Sequence, residues 1–221
     1  MDKTEKASKS EVSGEVENNS PEQQTLTLQE AIDLAIQHHT AGDLAKAEGI
    51  YQQILQTDPD HPDALHLLGV ISHQKGENDT AVDLITRALK FKPDYAEALN
   101  NLGNVFLDLG KLDEAVANYR KAITIEPDYA EAHYNLGIAF SKLGRLNETV
   151  ASYRKALIIK PNYAEAHYNL GNGLKELWKL DEAIESYQEA CTIKPDYAEA
   201  FNNLGAAFQD IGKLEEATSH F

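Results

Sequence analysis

Five prolines, Pro59, Pro93, Pro127, Pro161 and Pro195, stand 34 residues apart. Glycines keep the same step at Gly69, Gly103, Gly137, Gly171 and Gly205. A second glycine series runs through Gly42, Gly76, Gly110, Gly144 and Gly212, with Trp178 in the missing place. An aromatic series (Tyr51, Tyr119, Tyr153, Tyr187, Phe221) is interrupted at Ile85, and a small-residue series (Ala47, Ala81, Ala115, Ala183, Ala217) at Thr149. A chain locked to one period in five registers is confined to an array of like units, each resting on its neighbours.

Each period reads as two helices. In the third, Asp94 and Glu97 have the spacing of a capping box, and Asp128/Glu131, Asn162/Glu165 and Asp196/Glu199 repeat it. Leu99, Leu102, Val105 and Phe106 follow at helical spacing, and Gly110 supplies the left-handed residue that closes the helix. Ala115, Tyr119, Ala122 and Ile123 mark the buried stripe of the second helix, which Pro127 ends. Helix axes come within about 8–10 Å only where the crossing residues are small. Gly103 and Ala115 are therefore the expected crossing points within the pair, with Tyr119 filling the wider gap toward the next pair. One pair cannot hide its own apolar stripes. The predicted fold is an all-α, right-handed superhelical solenoid of stacked antiparallel helix pairs.

These residues resemble the tetratricopeptide repeat, most closely in AEAHYNLGIAFSKLGRLNETVASYRKALIIKP, Ala130 to Pro161. Placing the proline at the family's position 32 implies repeats 28–61, 62–95, 96–129, 130–163 and 164–197 and a partial one, 198–221. Three departures stand out. Ala35 occupies the first glycine site, Thr149 weakens one crossing, and Trp178 replaces a helix-closing glycine. Because a Trp held at positive φ costs roughly 1–2 kcal/mol, an extended or 3₁₀ turn is expected there, with the ring lying over a neighbouring helix end.

Residues 1–24, with six acids and three bases among Ser, Asn and Gln, read as a disordered acidic and polar tail. Thr27 and Glu30 form the first capping box, where order should begin. At the other end the last unit holds only 24 residues (198–221). The expectation is a piece of a longer protein, or else an open end that self-associates through Phe221.

Composition narrows the function. The net charge of −16, from 20 basic and 36 acidic residues, argues against nucleic acid and anionic membranes, because both call for clustered Lys and Arg. One cysteine excludes a disulfide framework and a Cys-based zinc site, and fits a reducing, cytoplasmic setting. No apolar run reaches the length of a membrane span. Catalytic chemistry is missing as well. The recurring acids sit at helix starts, and the adjacent His38 and His39 diverge by about 100° on a helix. His133 and His167 read as packing residues, Cys191 as a buried thiol, and the glycines follow the repeat rather than a phosphate loop. No cofactor is expected, and the chain is not expected to be an enzyme.

The family resemblance implies a concave groove lined by the first helix of each repeat. Carried onto this sequence, that groove holds Asn101, Asn135, Asn169 and Asn203, flanked by Asn100, Tyr134, Tyr168 and Asn202, with Asn104 and Asn172 a turn later. A carboxamide carries a donor and an acceptor, so the row matches the main chain of an extended peptide. The inner face lacks the Lys and Arg that grip a C-terminal carboxylate in some such repeats; Lys142 and Lys175 lie only at its edge. The expected function is a protein–protein interaction scaffold for an extended peptide or partner protein, neutral to basic in charge. The alternative is the substrate-recognition arm of a larger enzyme, since NNLGN (Asn100 to Asn104) and the Asn row resemble the repeats of O-linked N-acetylglucosamine transferases. Bacterial glycosyltransferases and sulfotransferases with repeat arms are similar.

Overall fold

The computed structural model describes residues 27–212. The proposed tail over 1–24, the second helix of the last unit and Phe221 with its self-association surface lie outside the described residues. Eleven helices and no strand occur among those described: α1 (Leu28–Thr40), α2 (Leu44–Thr57), α3 (Pro62–Gln74), α4 (Asn78–Phe91), α5 (Ala96–Asp108), α6 (Leu112–Ile125), α7 (Ala130–Lys142), α8 (Leu146–Ile159), α9 (Ala164–Glu176), α10 (Leu180–Ile193) and α11 (Ala198–Asp210). Each helix packs on the next. Odd-numbered helices also touch one another across the repeat, α3 with α5 and α5 with α7. They therefore lie along the inside of the curve.

Within a pair, the glycine and the aromatic ring form one contact. A Cβ on Gly103 would lie 2.5 Å from Tyr119 Cε1, and Gly137 and Gly171 stand in the same relation to Tyr153 and Tyr187. Tyr119 thus rests on the glycine of its own pair and, as its spacing had suggested, also reaches the next, where it is buried in one cluster with Leu136, Ala139 and Phe140 of α7. The missing side chain of one helix is the seat for the ring of the other. In the second pair, Ile85 takes the ring's place, 2.6 Å from the same point on Gly69. Ala81, Ala115 and Ala183 on the facing helices are fully buried. Thr149, the bulkier exception, is buried too. Its methyl stands 3.4 Å from where a Cβ of Gly173 would be, so the glycine in the next pair makes room for it.

The capping boxes within the array are not formed. Helices α5, α7, α9 and α11 take Tyr95, Tyr129, Tyr163 and Tyr197 as N-cap residues, with no side-chain cap bond. The reason is the proline. In Glu126-Pro127-Asp128-Tyr129 the Tyr129 N–H donates to the Glu126 carbonyl at 3.1 Å, and Tyr197 does the same to Lys194. Pro and Asp are thereby consumed as the central residues of a β-turn, and the helix starts one residue later than the acid. Glu131 instead pairs with Lys160 at 2.9 Å, which holds its carboxyl below the usual range. Among the described helices, only α1 has the reciprocal box, formed by Thr27 and Glu30.

Trp178 does not adopt the extended or 3₁₀ turn expected from its size. Its φ is +59°, beside +70° to +81° for Gly42, Gly76, Gly110, Gly144 and Gly212. The turn dictates this. Lys179 N–H donates to the Leu174 carbonyl at 2.9 Å, as Lys111 does to Phe106 and Arg145 to Phe140. This 6→1 bond requires a left-handed residue just before its donor. The ring is 81% exposed and covers no helix end.

Replacing Gly103 with Ala should lower stability by about 1–3 kcal/mol, because the new methyl collides with a buried ring on a packed helix. Urea denaturation midpoints of the two proteins check this, and an unchanged midpoint would place the contact elsewhere.

Candidate interaction face

The odd-numbered helices carry two rows of polar side chains, and each rung joins residues 35 apart. In the first row, Asn101 Nδ2 lies 2.9 Å from His66 Nε2, and Asn135 Nδ2 donates to Asn100 Oδ1 at 3.0 Å. Asn169 Nδ2 then donates to the Tyr134 hydroxyl at 2.9 Å, and Asn203 Nδ2 to the Tyr168 hydroxyl at 3.2 Å. Asn203 also donates to Asn172 Oδ1 at 2.9 Å. One period plus one residue carries the chain to the same face of the next odd helix, so consecutive repeats are stitched rung by rung. In the second row, His39 meets Gln74 at 3.0 Å, His73 meets Asp108 at 2.8 Å and Lys175 meets Asp210 at 3.0 Å.

The expected Asn residues therefore hold two positions. Asn101, Asn135, Asn169 and Asn203 are half-buried; the first three commit one amide N–H to the preceding repeat, and Asn203 commits both. An Asn side chain has two N–H groups and a carbonyl oxygen. Asn169, Asn172 and Asn203 line one hollow of about 520 Å³, and Asn101 lines another of about 360 Å³ near α1 and α3. Asn104 and Asn172 accept the hydroxyls of Tyr119 and Tyr187, both at 2.8 Å. Asn202 is exposed, and Tyr134 and Tyr168 are half-buried. Asn100 is not a groove residue. It is only 4% exposed, because the Asn135 amide covers it.

The aromatic partners are ordered by the same register. Tyr95, Tyr163 and Tyr197 each pack, edge-on or tilted, against the first-row residue 29 positions earlier, with centroids 4.7 Å from His66, 4.8 Å from Tyr134 and 5.0 Å from Tyr168. Lys92, Lys160 and Lys194 lie over the same three tyrosines at 3.9–4.8 Å. Burial raises the Tyr119 and Tyr187 hydroxyls well above their usual range, so both stay protonated and donate.

His66 is the member of the first row that sequence spacing left unmarked. It is fully buried. Its Nε2 receives the Asn101 amide, so the hydrogen sits on Nδ1, 3.0 Å from the Tyr95 hydroxyl. Burial lowers its pKa to about 4, with Asp63 opposing and Lys92 adding. His133 and His167 donate from Nε2 to the carbonyls of Pro127 and Pro161, both at 2.9 Å, which makes them turn anchors. Cys191 is buried, and burial raises its thiol. Among the described residues no group of three or more His, Cys, Asp or Glu is placed to hold a metal, and no helix is long and apolar enough to cross a membrane.

A family model described as TPR repeat matches three segments, residues 103–144, 139–177 and 174–212, and a second, described as Tetratricopeptide repeat, matches 38–103. The chain belongs to the tetratricopeptide repeat family. Its fold is similar to the crystal structure of MamA, with TM-score 0.67 and 29% identity over 70% of this chain and 90% of that one. It is also similar to PilF of Pseudomonas aeruginosa, with TM-score 0.79 and 19% identity over 86% of each. YrrB, a TPR protein with an unusual peptide-binding site, gives TM-score 0.63 and 23% identity over 77% of this chain and 88% of its own. No curated protein is a significant sequence match.

Two outcomes are expected from this geometry. The unfolded chain protonates its histidines near pH 6.5, whereas folded His66 resists until about pH 4. The native state therefore loses up to about 3 kcal/mol as pH falls through that window. H66N, which places at this site the residue found at Asn100, should flatten that part of the stability–pH curve; parallel urea titrations at pH 7 and 4.5 read the difference. The second outcome concerns Tyr51, whose buried hydroxyl has no partner because Ile36 stands where Asn104 and Asn172 serve the other rings. Y51F should gain about 1 kcal/mol and Y119F lose about as much, as thermal melts will report; loss in both would put a bound water on Tyr51.

Proposed function

We propose that this protein is an interaction scaffold that holds an extended segment of a partner protein on the face formed by its odd-numbered helices. The observation that carries the reading is the half-buried amide row, Asn101, Asn135, Asn169 and Asn203. Asn101, Asn135 and Asn169 each bind the neighbouring repeat through one N–H, which leaves a second N–H and an oxygen to pair with a peptide main chain; Asn203, with two acceptors in the preceding repeat, offers its oxygen. Asn172, Tyr134 and Tyr168 border the row and would add adaptable contacts. A net charge of −16 favours neutral or basic partners, whose attraction should weaken with salt. YrrB, with its peptide-binding site, supports the reading through shared fold.

Removing all four amides is a poor test, because the same groups stitch the repeats together. Exposed residues on the face serve better. Peptides selected from a random library against the full chain should bind S141R/N202R at least tenfold more weakly than the parent, while K155E on the opposite helices should bind them unchanged. Fluorescence anisotropy measures both. Affinity lost in K155E and kept in S141R/N202R would move the site to the even-numbered helices.

A further inference from the structure

We infer that the hollow at the end of α9 is an arginine-binding subsite, with the Trp178 indole as its wall and Glu176 as its counter-charge; this rests on the reading of the odd-helix face as a peptide groove. The hollow measures about 520 Å³ and is also lined by Asn169, Asn172 and Asn203. Two irregularities of the repeat meet there.

The first is Trp178. A left-handed φ is strained for a non-glycine residue, and every other turn of this type among the described residues uses glycine. Nothing in the fold offsets that strain, because the ring is 81% exposed. A strained, apolar, exposed residue at the mouth of a hollow points outward, to a ligand.

The second is a missing rung. At the positions equivalent to Glu176, Gln74, Asp108 and Asp210 are bound to His39, His73 and Lys175 of the preceding repeats; Lys142, opposite Leu107, is the other position without a rung. The counterpart of Glu176 is Ser141, which lines the same hollow but makes no bond to it. Glu176 has no hydrogen-bond or ion-pair partner among the described residues. Lys175, the cation among the lining residues, is already neutralised by Asp210.

A free carboxylate and the electronegative C-terminal end of α9 both favour a cation, and an indole face within about 6 Å adds to the attraction. Arginine satisfies all three, since its planar guanidinium stacks on the ring while its N–H fork meets the carboxylate. The amides beyond would take the peptide main chain on either side of it.

Trp178 is the single tryptophan of the chain, so its emission reports this subsite alone. The test uses the tightest peptide selected from a random dodecapeptide library on the full chain, compared with versions in which each arginine becomes citrulline. On the parent protein one such replacement should weaken binding at least tenfold, and binding of the original peptide should shift the tryptophan emission. W178G should bind the original peptide at least tenfold more weakly, show less than a twofold citrulline effect and unfold at a higher urea concentration than the parent. W178N, which also tolerates the left-handed turn, and E176Q should lose affinity in the same peptide-dependent way. Peptides that bind W178G, W178N and the parent equally, or that contain no arginine whose loss matters, would overturn the subsite and leave the groove standing. Failure to select any peptide would overturn both.

Discussion

The ring of Tyr119 lying on the bare backbone of Gly103 fixes how closely two helices of a pair approach, and the rest of the array inherits that distance. With the pair drawn together there, the alanine stripes of the even helices are fully buried, and each pair presents a uniform side to the next. Units this small cannot bury enough surface alone, so stability resides in their repetition. A change at the glycine seat therefore acts on its own pair and on the interfaces that flank it.

Stacking then determines what the inner face can offer. Because successive odd helices meet one period plus one residue apart, polar side chains at two adjacent positions become partners between repeats. Most of the amide and histidine groups on that face serve the scaffold first. Buried hydrogen-bonding groups left unmatched would cost more than a matched bond returns, and His66 meets this demand by staying neutral between Asn101 and Tyr95. A partner protein then meets amides that are already oriented, which lowers the ordering cost of binding.

Much of this was legible from the period alone. The helix pairs, the left-handed glycines, the buried alanines and the row of asparagines follow from spacing and residue type, which are local properties. The capping boxes at Asp94, Asp128, Asn162 and Asp196 were misread because the adjacent prolines compete for the same residues and win them for a turn. The spacing places Tyr119 toward the next pair, where it packs with Leu136 and Phe140, but not its seat on Gly103, since spacing shows that a ring is buried without showing everything it is buried against. The asparagine amides reach partners 35 residues away, and no local signal marks a bond of that length.

The sequence by itself determined the kind of fold, because a 34-residue recurrence of small, aromatic and helix-ending residues admits one way of hiding the apolar stripes. It also determined that the inner face would be rich in carboxamides. Only the tertiary structure decided which polar atoms are spent between repeats and which remain open. It likewise decided that Trp178 adopts the backbone geometry of a glycine, with its ring in solvent. Both outcomes depend on geometry between separate units: a hydrogen bond needs atoms within about 3 Å, and the closing bond of a turn can impose a strain that residue preference alone would avoid.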